Sequence, residues 1–326
     1  MQGAPGWATA VFGPEGPASI EVGGRADLAR DEAVTRATRF RWYSVTKLVT
    51  AMATLRAVEA GRLALDDDVR ARLDWFRPSA PVTVRHLLAH ASGLADPNAT
   101  GWVHPPGRAL RPPGVLARET FARHPRLRSA PGAVARYTNL GYLVLGELLA
   151  EVEGGYERAA AAVLARSGAH RASFSVDGAA RGHEALASAR TLVMAALFGR
   201  RTPGLVAYVR EGWVGLSPFA IEGQAYGGLV GSIEDLVALG RALLAPGLVL
   251  EAPTLRAMRA RAASGPAGAY GLGPWLHGDG WIGHGGEAGG FRAELHVHPE
   301  RGRGFAILVN AGAAPTGARV DELKRA

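Results

Sequence analysis

Trp42-Tyr43-Ser44-Val45-Thr46-Lys47 decides the reading of this chain. Lys47 stands three residues after Ser44, and apolar residues follow at Leu48, Met52, Leu55 and Val58. That spacing predicts a helix over Val45 to Ala60, with one buried stripe and a stop at Gly61. Residues three apart share a helix face, so the serine hydroxyl and the lysine amine meet. Ser44 is expected to open the helix, where unpaired backbone N–H groups and the positive end of the dipole favour an alkoxide or acyl oxyanion. Among 37 basic side chains only Lys47 and Lys324 are lysine, and the rest are arginine. Arginine cannot be deprotonated in a protein, whereas a desolvated lysine becomes a neutral amine that takes a proton. Ser44 and Lys47 are therefore a candidate nucleophile and base, with an N-cap serine and a snorkelling lysine as the plainer alternative.

The rest of the composition narrows the options. At 326 residues, 48% hydrophobic and 20% charged, the chain has the makings of a folded core and of two domains or one large one. No apolar run approaches the ~18 residues that span a bilayer, so no membrane role is expected. The N-terminal Met1-Gln2-Gly3-Ala4-Pro5-Gly6-Trp7 has neither a basic segment nor a sustained apolar one, which predicts a cytoplasmic protein without a secretory signal. Zero cysteines rule out disulfides, thiolate metal sites and a cysteine nucleophile. A net charge of +8 raises the question of nucleic acid, but the arginines are scattered and no basic-aromatic interleaving forms a stacking platform. One stretch stands apart. From His104 to Arg136, seven arginines face only Glu119, either as a solvated basic loop or as an attractor for an anionic substrate.

Outward from the serine motif, Ala8 to Phe12 and Ala18 to Val22 read as strands joined by Gly13-Pro14-Glu15-Gly16-Pro17. Helical patterns then dominate at Val84 to His90, Gly141 to Val152, Tyr156 to Ala165, Ala185 to Leu197 and Ile233 to Leu244. Strand patterns return at Trp281-Ile282, Phe291 to Val297 and Phe305 to Asn310. A sheet drawn from both chain ends around a helical block predicts a discontinuous α/β domain, 1–60 with 230–326, and a mainly helical domain over 61–229. The cleft between them is the natural site. Asp96 to Gly114, rich in Pro and Gly, reads as a long irregular loop.

Two further motifs suit acyl transfer. Tyr137-Thr138-Asn139 follows a Pro131-Gly132 turn and precedes a helix. A phenol beside a cationic lysine has its pKa lowered towards general-base use, and an asparagine amide bonds both a lysine and a substrate carbonyl. Gly283-His284-Gly285-Gly286-Glu287-Ala288-Gly289-Gly290 reads as glycine-rich edge strand, bringing backbone N–H groups to a ligand with His284 pointing into the pocket. It fits the pattern of a dinucleotide fingerprint, but a strand follows where that fingerprint needs a helix.

Taken in order, Ser44-Val45-Thr46-Lys47, Tyr137-Thr138-Asn139 and His284-Gly285-Gly286 resemble the motifs of the serine β-lactamase and penicillin-binding protein superfamily. Connecting segments resemble it too: Leu63 to Val69, Val82 to Leu94, Gly227 to Leu236 and Gly289 to Arg292. The resemblance covers residues 8 to about 311. It implies an α+β, β-lactamase/transpeptidase-like fold, with an antiparallel sheet flanked by helices and a mainly helical inserted domain. The Tyr-x-Asn and His-x-Gly motifs are similar to those of the class C β-lactamase-related branch, which includes family VIII carboxylesterases and D-aminopeptidase-like hydrolases. True class C lactamases carry Lys-Thr-Gly where this chain has His284-Gly285-Gly286, and the Glu-x-x-Leu-Asn segment of class A is absent.

By that resemblance Ser44 is the nucleophile, Lys47 and Tyr137 share general-base duty, and no cofactor or metal is needed. The backbone N–H groups of Ser44 and Glu287 form the oxyanion hole beside Gly286, Asn139 contacts the substrate, and His284 meets the leaving group or a carboxylate. Small esters or amides are the expected substrates, with an esterase favoured over a true β-lactamase. A D-amino-acid peptidase and a weak lactamase or penicillin-binding enzyme are the alternatives, and a non-catalytic scaffold is the rival of another class.

Competing constellations are thinner. No Gly-x-Ser-x-Gly elbow occurs. His86 and His90 have zinc-ligand spacing, but leucine follows the first where glutamate is required. His296 and His298 share a strand face and are expected to be solvent-exposed. Asp66-Asp67-Asp68 is expected to cap the next helix.

Overall fold

The computed structural model describes residues 3–97, 99–104, 108–188, 204–312, 314 and 316–325. Both chain ends contribute to one antiparallel sheet. Its nine strands run in the order Ala263–Gly265, Gly268–Tyr270, Trp275–Leu276, Ile282–Ala288, Phe291–His298, Arg303–Val309, Gly6–Gly13, Gly16–Asp27 and Glu32–Ala33. The two ends join where Trp7 pairs with Val309 and Phe12 with Gly304. Alternation along these strands sorts two faces. Ala8, Ala10, Phe12, Leu295, Val297, Ala306 and Leu308 enter the main core, whereas Trp7, Val11, Phe305, Ile307 and Val309 pack on the other face with Leu323 of the Gly317–Arg325 helix.

On the main face lies the Ile233–Leu244 helix, begun by a capping box in which Ser232 accepts from the Asp235 N–H and Asp235 accepts from the Ser232 N–H. Gly240 lets this helix sit directly on the sheet, since a Cβ there would lie 2.2 Å from the Phe12 ring. The serine helix, Thr46–Glu59, is buried at every residue from Thr46 to Leu55, so it is a central helix rather than the one-sided amphipathic helix expected from its leucine spacing. The helices Asn139–Glu153 and Tyr156–Ser167 pack against it.

Several expectations change. The glycine-rich strand is internal: Gly283 pairs with Trp275 on one side and with His296 on the other, and only from His284 onward does one edge open. His296 and His298 are buried, because their strand is covered on that face by Trp281, Phe305 and His277. Ala185 ends a strand, His183–Ala185, rather than beginning a helix, and the remainder of the expected Ala185 to Leu197 helix from 189 onward lies outside the described residues. Within the Asp96 to Gly114 loop, Ala99–Trp102 is a 3-10 turn and Val103–His104 pairs with Ala220–Ile221. Asp68 caps a 3-10 turn through the Arg70 N–H.

Candidate active site

Ser44 sits in a 3-10 turn, Tyr43–Val45, that runs directly into the Thr46–Glu59 helix. It stands at the helix start as expected, and its hydroxyl makes no cap bond, unlike the plainer N-cap alternative. The turn is held from behind: the Trp42 N–H donates to the Leu229 carbonyl at 2.9 Å and the Trp42 indole to the Gly231 carbonyl at 3.2 Å. Tyr43 is held at φ 44°, in the left-handed region that side chains other than glycine avoid. The strain falls on the residue beside the candidate nucleophile.

Lys47 is fully buried. Its Nζ lies 3.1 Å from Ser44 Oγ, 2.8 Å from Asn139 Oδ1 and 2.8 Å from the Tyr226 carbonyl oxygen. Burial drives its pKa well below the usual lysine value, and the Asp96 charge offsets that only in part. The Tyr226 carbonyl is fixed by the same helix, because Thr50, one turn on from Thr46, donates to the Ala225 carbonyl at 2.7 Å and Thr46 Oγ1 accepts from the Leu229 N–H at 3.2 Å.

Tyr137 places its hydroxyl 2.6 Å from Ser44 Oγ, with Lys47 Nζ 4.8 Å from its ring centre. Its pKa runs opposite to expectation: burial pushes the phenol far above the usual tyrosine value, so it rests as a neutral donor. The hydrogen bond to Ser44 offsets that burial only in part. His90 holds this segment. Its Nδ1 accepts from the Thr138 N–H at 3.2 Å, and its ring lies 4.6 Å from that of Tyr137 and 5.0 Å from those of Tyr142 and Tyr270. Asn139 begins the Asn139–Glu153 helix, and its N–H donates to Asp96 Oδ1 at 2.8 Å.

His284 and Gly286 share the strand face turned towards Ser44. A Cβ on Gly286 would lie 2.2 Å from the Trp42 carbonyl oxygen and 2.8 Å from the Ser44 nitrogen, so only glycine allows the strand this close. Glu287, the next residue along the strand, points the other way and pairs with Arg292 at 3.3 Å. His284 is buried, stacked on Trp275 at 4.4 Å, and its Nδ1 donates to the Gly285 carbonyl at 2.6 Å. Its Nε2 is then an acceptor, with no partner among the described residues. Burial, with the Lys47 charge as a lesser cause, pushes its pKa down to about 3, so it is a neutral imidazole.

Ser44, Lys47, Tyr137, Asn139, His284 and Gly286 are therefore brought to one place. The sequence reading missed Asp96, the Tyr226 carbonyl and the support from His90. A backbone carbonyl has no residue code, but His90 had a signal in Leu87-Leu88-Ala89-His90-Ala91-Ser92-Gly93-Leu94. The basic stretch is partly neutralised by a distant acid: Arg111 bonds Glu222 at 2.6 Å and Glu119 at 2.6 Å, and His104 meets Glu222 at 2.8 Å. Among the described residues no group of histidines, cysteines and acids is arranged to hold a metal, and no helix is long and apolar enough to cross a membrane.

Known proteins bear directly on this geometry. A family model described as Beta-lactamase matches residues 1–326. Esterase EstB from Burkholderia gladioli is 47% identical over 77 residues, which is 22% of this chain and 20% of that protein. The chain thus matches about a fifth of the length of that curated relative. Among solved structures, SurE superposes with a TM-score of 0.77 at 27% identity, over 98% of this chain and 72% of that one. A D-amino acid amidase from Ochrobactrum anthropi SV3, complexed with D-phenylalanine, superposes with a TM-score of 0.80 at 23% identity, over 99% and 94%, and shares the fold.

Proposed function

The chain belongs to the Beta-lactamase family of serine hydrolases, and from that premise we propose that Ser44 forms an acyl-enzyme with small esters or amides, in the cleft between the 1–60 and 230–326 unit and the 61–229 unit. The observation that carries this reading is the proton inventory around Lys47. A neutral amine has two N–H donors and one lone pair. Two of its three neighbours, Asn139 Oδ1 and the Tyr226 carbonyl, accept only, so they take both N–H groups and leave the lone pair facing the Ser44 hydroxyl.

The cycle then closes. Ser44 Oγ bonds to the substrate carbonyl carbon as its proton passes to Lys47, while the backbone N–H groups of Ser44 and Glu287 receive the oxyanion. Tyr137 gives its proton to the departing alcohol or amine, and the resulting phenolate is stabilised by the new Lys47 ammonium 4.8 Å from its ring. Water attacks the acyl carbon as Tyr137 takes back a proton. Ser44 leaves with the proton held on Lys47, and the site is restored. Asn139 contacts the substrate through its amide N–H₂, and His284 accepts a hydrogen bond at Nε2.

A neutral His284 offers no charge to a β-lactam carboxylate, which favours ester or amide turnover over lactam turnover. An amidase acting on amino-acid derivatives is the second reading. It is favoured by Asp96, an exposed carboxylate that bonds the Asn139 N–H and lies where a substrate ammonium could meet it.

The test is intact mass against time for wild type and Ser44→Ala with a short-chain aryl ester, an amino-acid amide and a penicillin, following released product. A Ser44-dependent adduct or turnover supports the reading, and the fastest substrate chooses between its branches. No adduct and no turnover with any of the three would favour the scaffold alternative.

A further inference from the structure

Arg41, three residues before Ser44, is 4% exposed. A buried guanidinium normally has a carboxylate partner, since an uncompensated interior charge is strongly destabilising. Arg41 has none within ion-pair distance among the described residues. It donates one N–H to the Phe219 carbonyl and lies 4.1 Å above the Phe219 ring. Both contacts leave most of its five donors unused.

Beside it lies a cavity of about 170 Å³ whose lining includes Arg41, Arg181, Arg30, Ser217, Phe219 and Phe291. None of these residues belongs to the Ser44 constellation. Arg181 and Arg30 are both tied to Asp27, at 2.9 and 3.1 Å. Asp27 therefore offsets one of those two charges and makes no ion pair with Arg41. Asp177 also lines the cavity, but its side chain is exposed and its Oδ2 takes the Ser175 hydroxyl at 2.9 Å. The wall thus carries three guanidinium groups and one carboxylate, Asp177, while Asp27 pairs Arg181 and Arg30 from outside the lining, and the unpaired cation is the buried one.

We propose that this cavity is a binding site for a small oxyanion, a carboxylate or a phosphate, with the Arg41 guanidinium as its principal contact and Arg181 and Arg30 at its rim. A guanidinium presents a planar fork of donors that matches such an anion. The volume suits it as well, because a water takes about 30 Å³ in the liquid and the cavity holds several. Phe219 and Phe291 give an apolar wall that excludes water from the pair. The site is independent of the hydrolytic reading and stands or falls separately from it.

Calorimetric titration of the full chain with sodium phosphate and, separately, sodium acetate at constant ionic strength tests this. Wild type and Ser44→Ala are expected to bind one anion saturably and equally. Arg41→Met should weaken binding at least tenfold. Ser217→Glu, which sets a carboxylate in the cavity, should abolish binding and raise the melting temperature of the unliganded protein. Binding of phosphate alone or of acetate alone assigns the ligand class within the proposal. No saturable binding of either salt in wild type overturns it, as does loss of binding in Ser44→Ala. Should Arg41→Met not fold, Ser217→Glu decides, and unchanged binding in that variant is the contrary result.

Discussion

The Lys47 amine lies 2.8 Å from the Tyr226 carbonyl oxygen, an acceptor with no proton to give, 179 residues away in the chain. Together with Asn139 Oδ1 at 2.8 Å, this carbonyl fixes which way a neutral lysine turns its lone pair. Ser44 is the group left facing it. The consequences of that orientation are measurable.

Replacing Lys47 with arginine puts a permanent charge where the mechanism needs a neutral amine, and removes the base. Lys47→Arg is expected to lower kcat by about 10³-fold or more, comparable with Ser44→Ala, because general-base assistance contributes about 10²–10⁴-fold. Circular dichroism establishes that the variant is folded, and aryl-ester hydrolysis gives the rate. Near-normal turnover would remove Lys47 from proton transfer.

With an aryl ester, whose phenolate leaves without needing a proton, Tyr137→Phe separates the two halves of the reaction. Without the phenol, water attack on the acyl-enzyme loses its base, so deacylation should slow by about 10²-fold or more. Acyl-Ser44 should then accumulate in the mass spectrum after a burst of product. If deacylation keeps its wild-type rate and no acyl-enzyme accumulates, Tyr137 does not act in deacylation.

Buried His284 links protonation to stability. Its folded pKa of about 3 lies below the ordinary histidine value, so between these values the unfolded chain binds a proton that the folded chain refuses. Stability therefore falls as pH drops below about 6.5. From pH 7 to pH 5 this one residue should cost about 2 kcal/mol. Denaturant unfolding of wild type and His284→Asn at both pH values checks it: the variant should lose about 2 kcal/mol less than wild type, and equal losses would contradict the assignment.

Gly286→Ala places a methyl 2.2 Å from the Trp42 carbonyl and 2.8 Å from the Ser44 nitrogen, both main-chain atoms that cannot step aside. The strand must retreat from the nucleophile, so kcat/KM is expected to fall by about 10²-fold, as for misplacement by about an ångström, with a lower melting temperature. Gly278→Ala, where a Cβ meets nothing within 4 Å, serves as the control and should leave both quantities unchanged.

Much of the site was legible because its members are side chains with distinctive chemistry at short spacing. Ser44 and Lys47 are one turn apart on a helix, and Tyr137 and Asn139 flank one residue at another helix start. What was misread depended on surroundings. Tyr137 was expected to ionise beside a cation, but burial lowers the pKa of the lysine and raises that of the phenol. His296 and His298 looked exposed because alternation assigns a face without saying what covers it. Asp96 was hidden in a loop, and its bond to the Asn139 N–H spans 43 positions.

The sequence by itself determined the sheet built from both ends and the candidate residues Ser44, Lys47, Tyr137, Asn139 and His284, because periodicity and residue chemistry are local properties. Tertiary structure alone decided the protonation states and the unclaimed charge on Arg41. Those depend on desolvation and on partners such as the Tyr226 carbonyl and Asp27, which only the folded chain brings near or holds away.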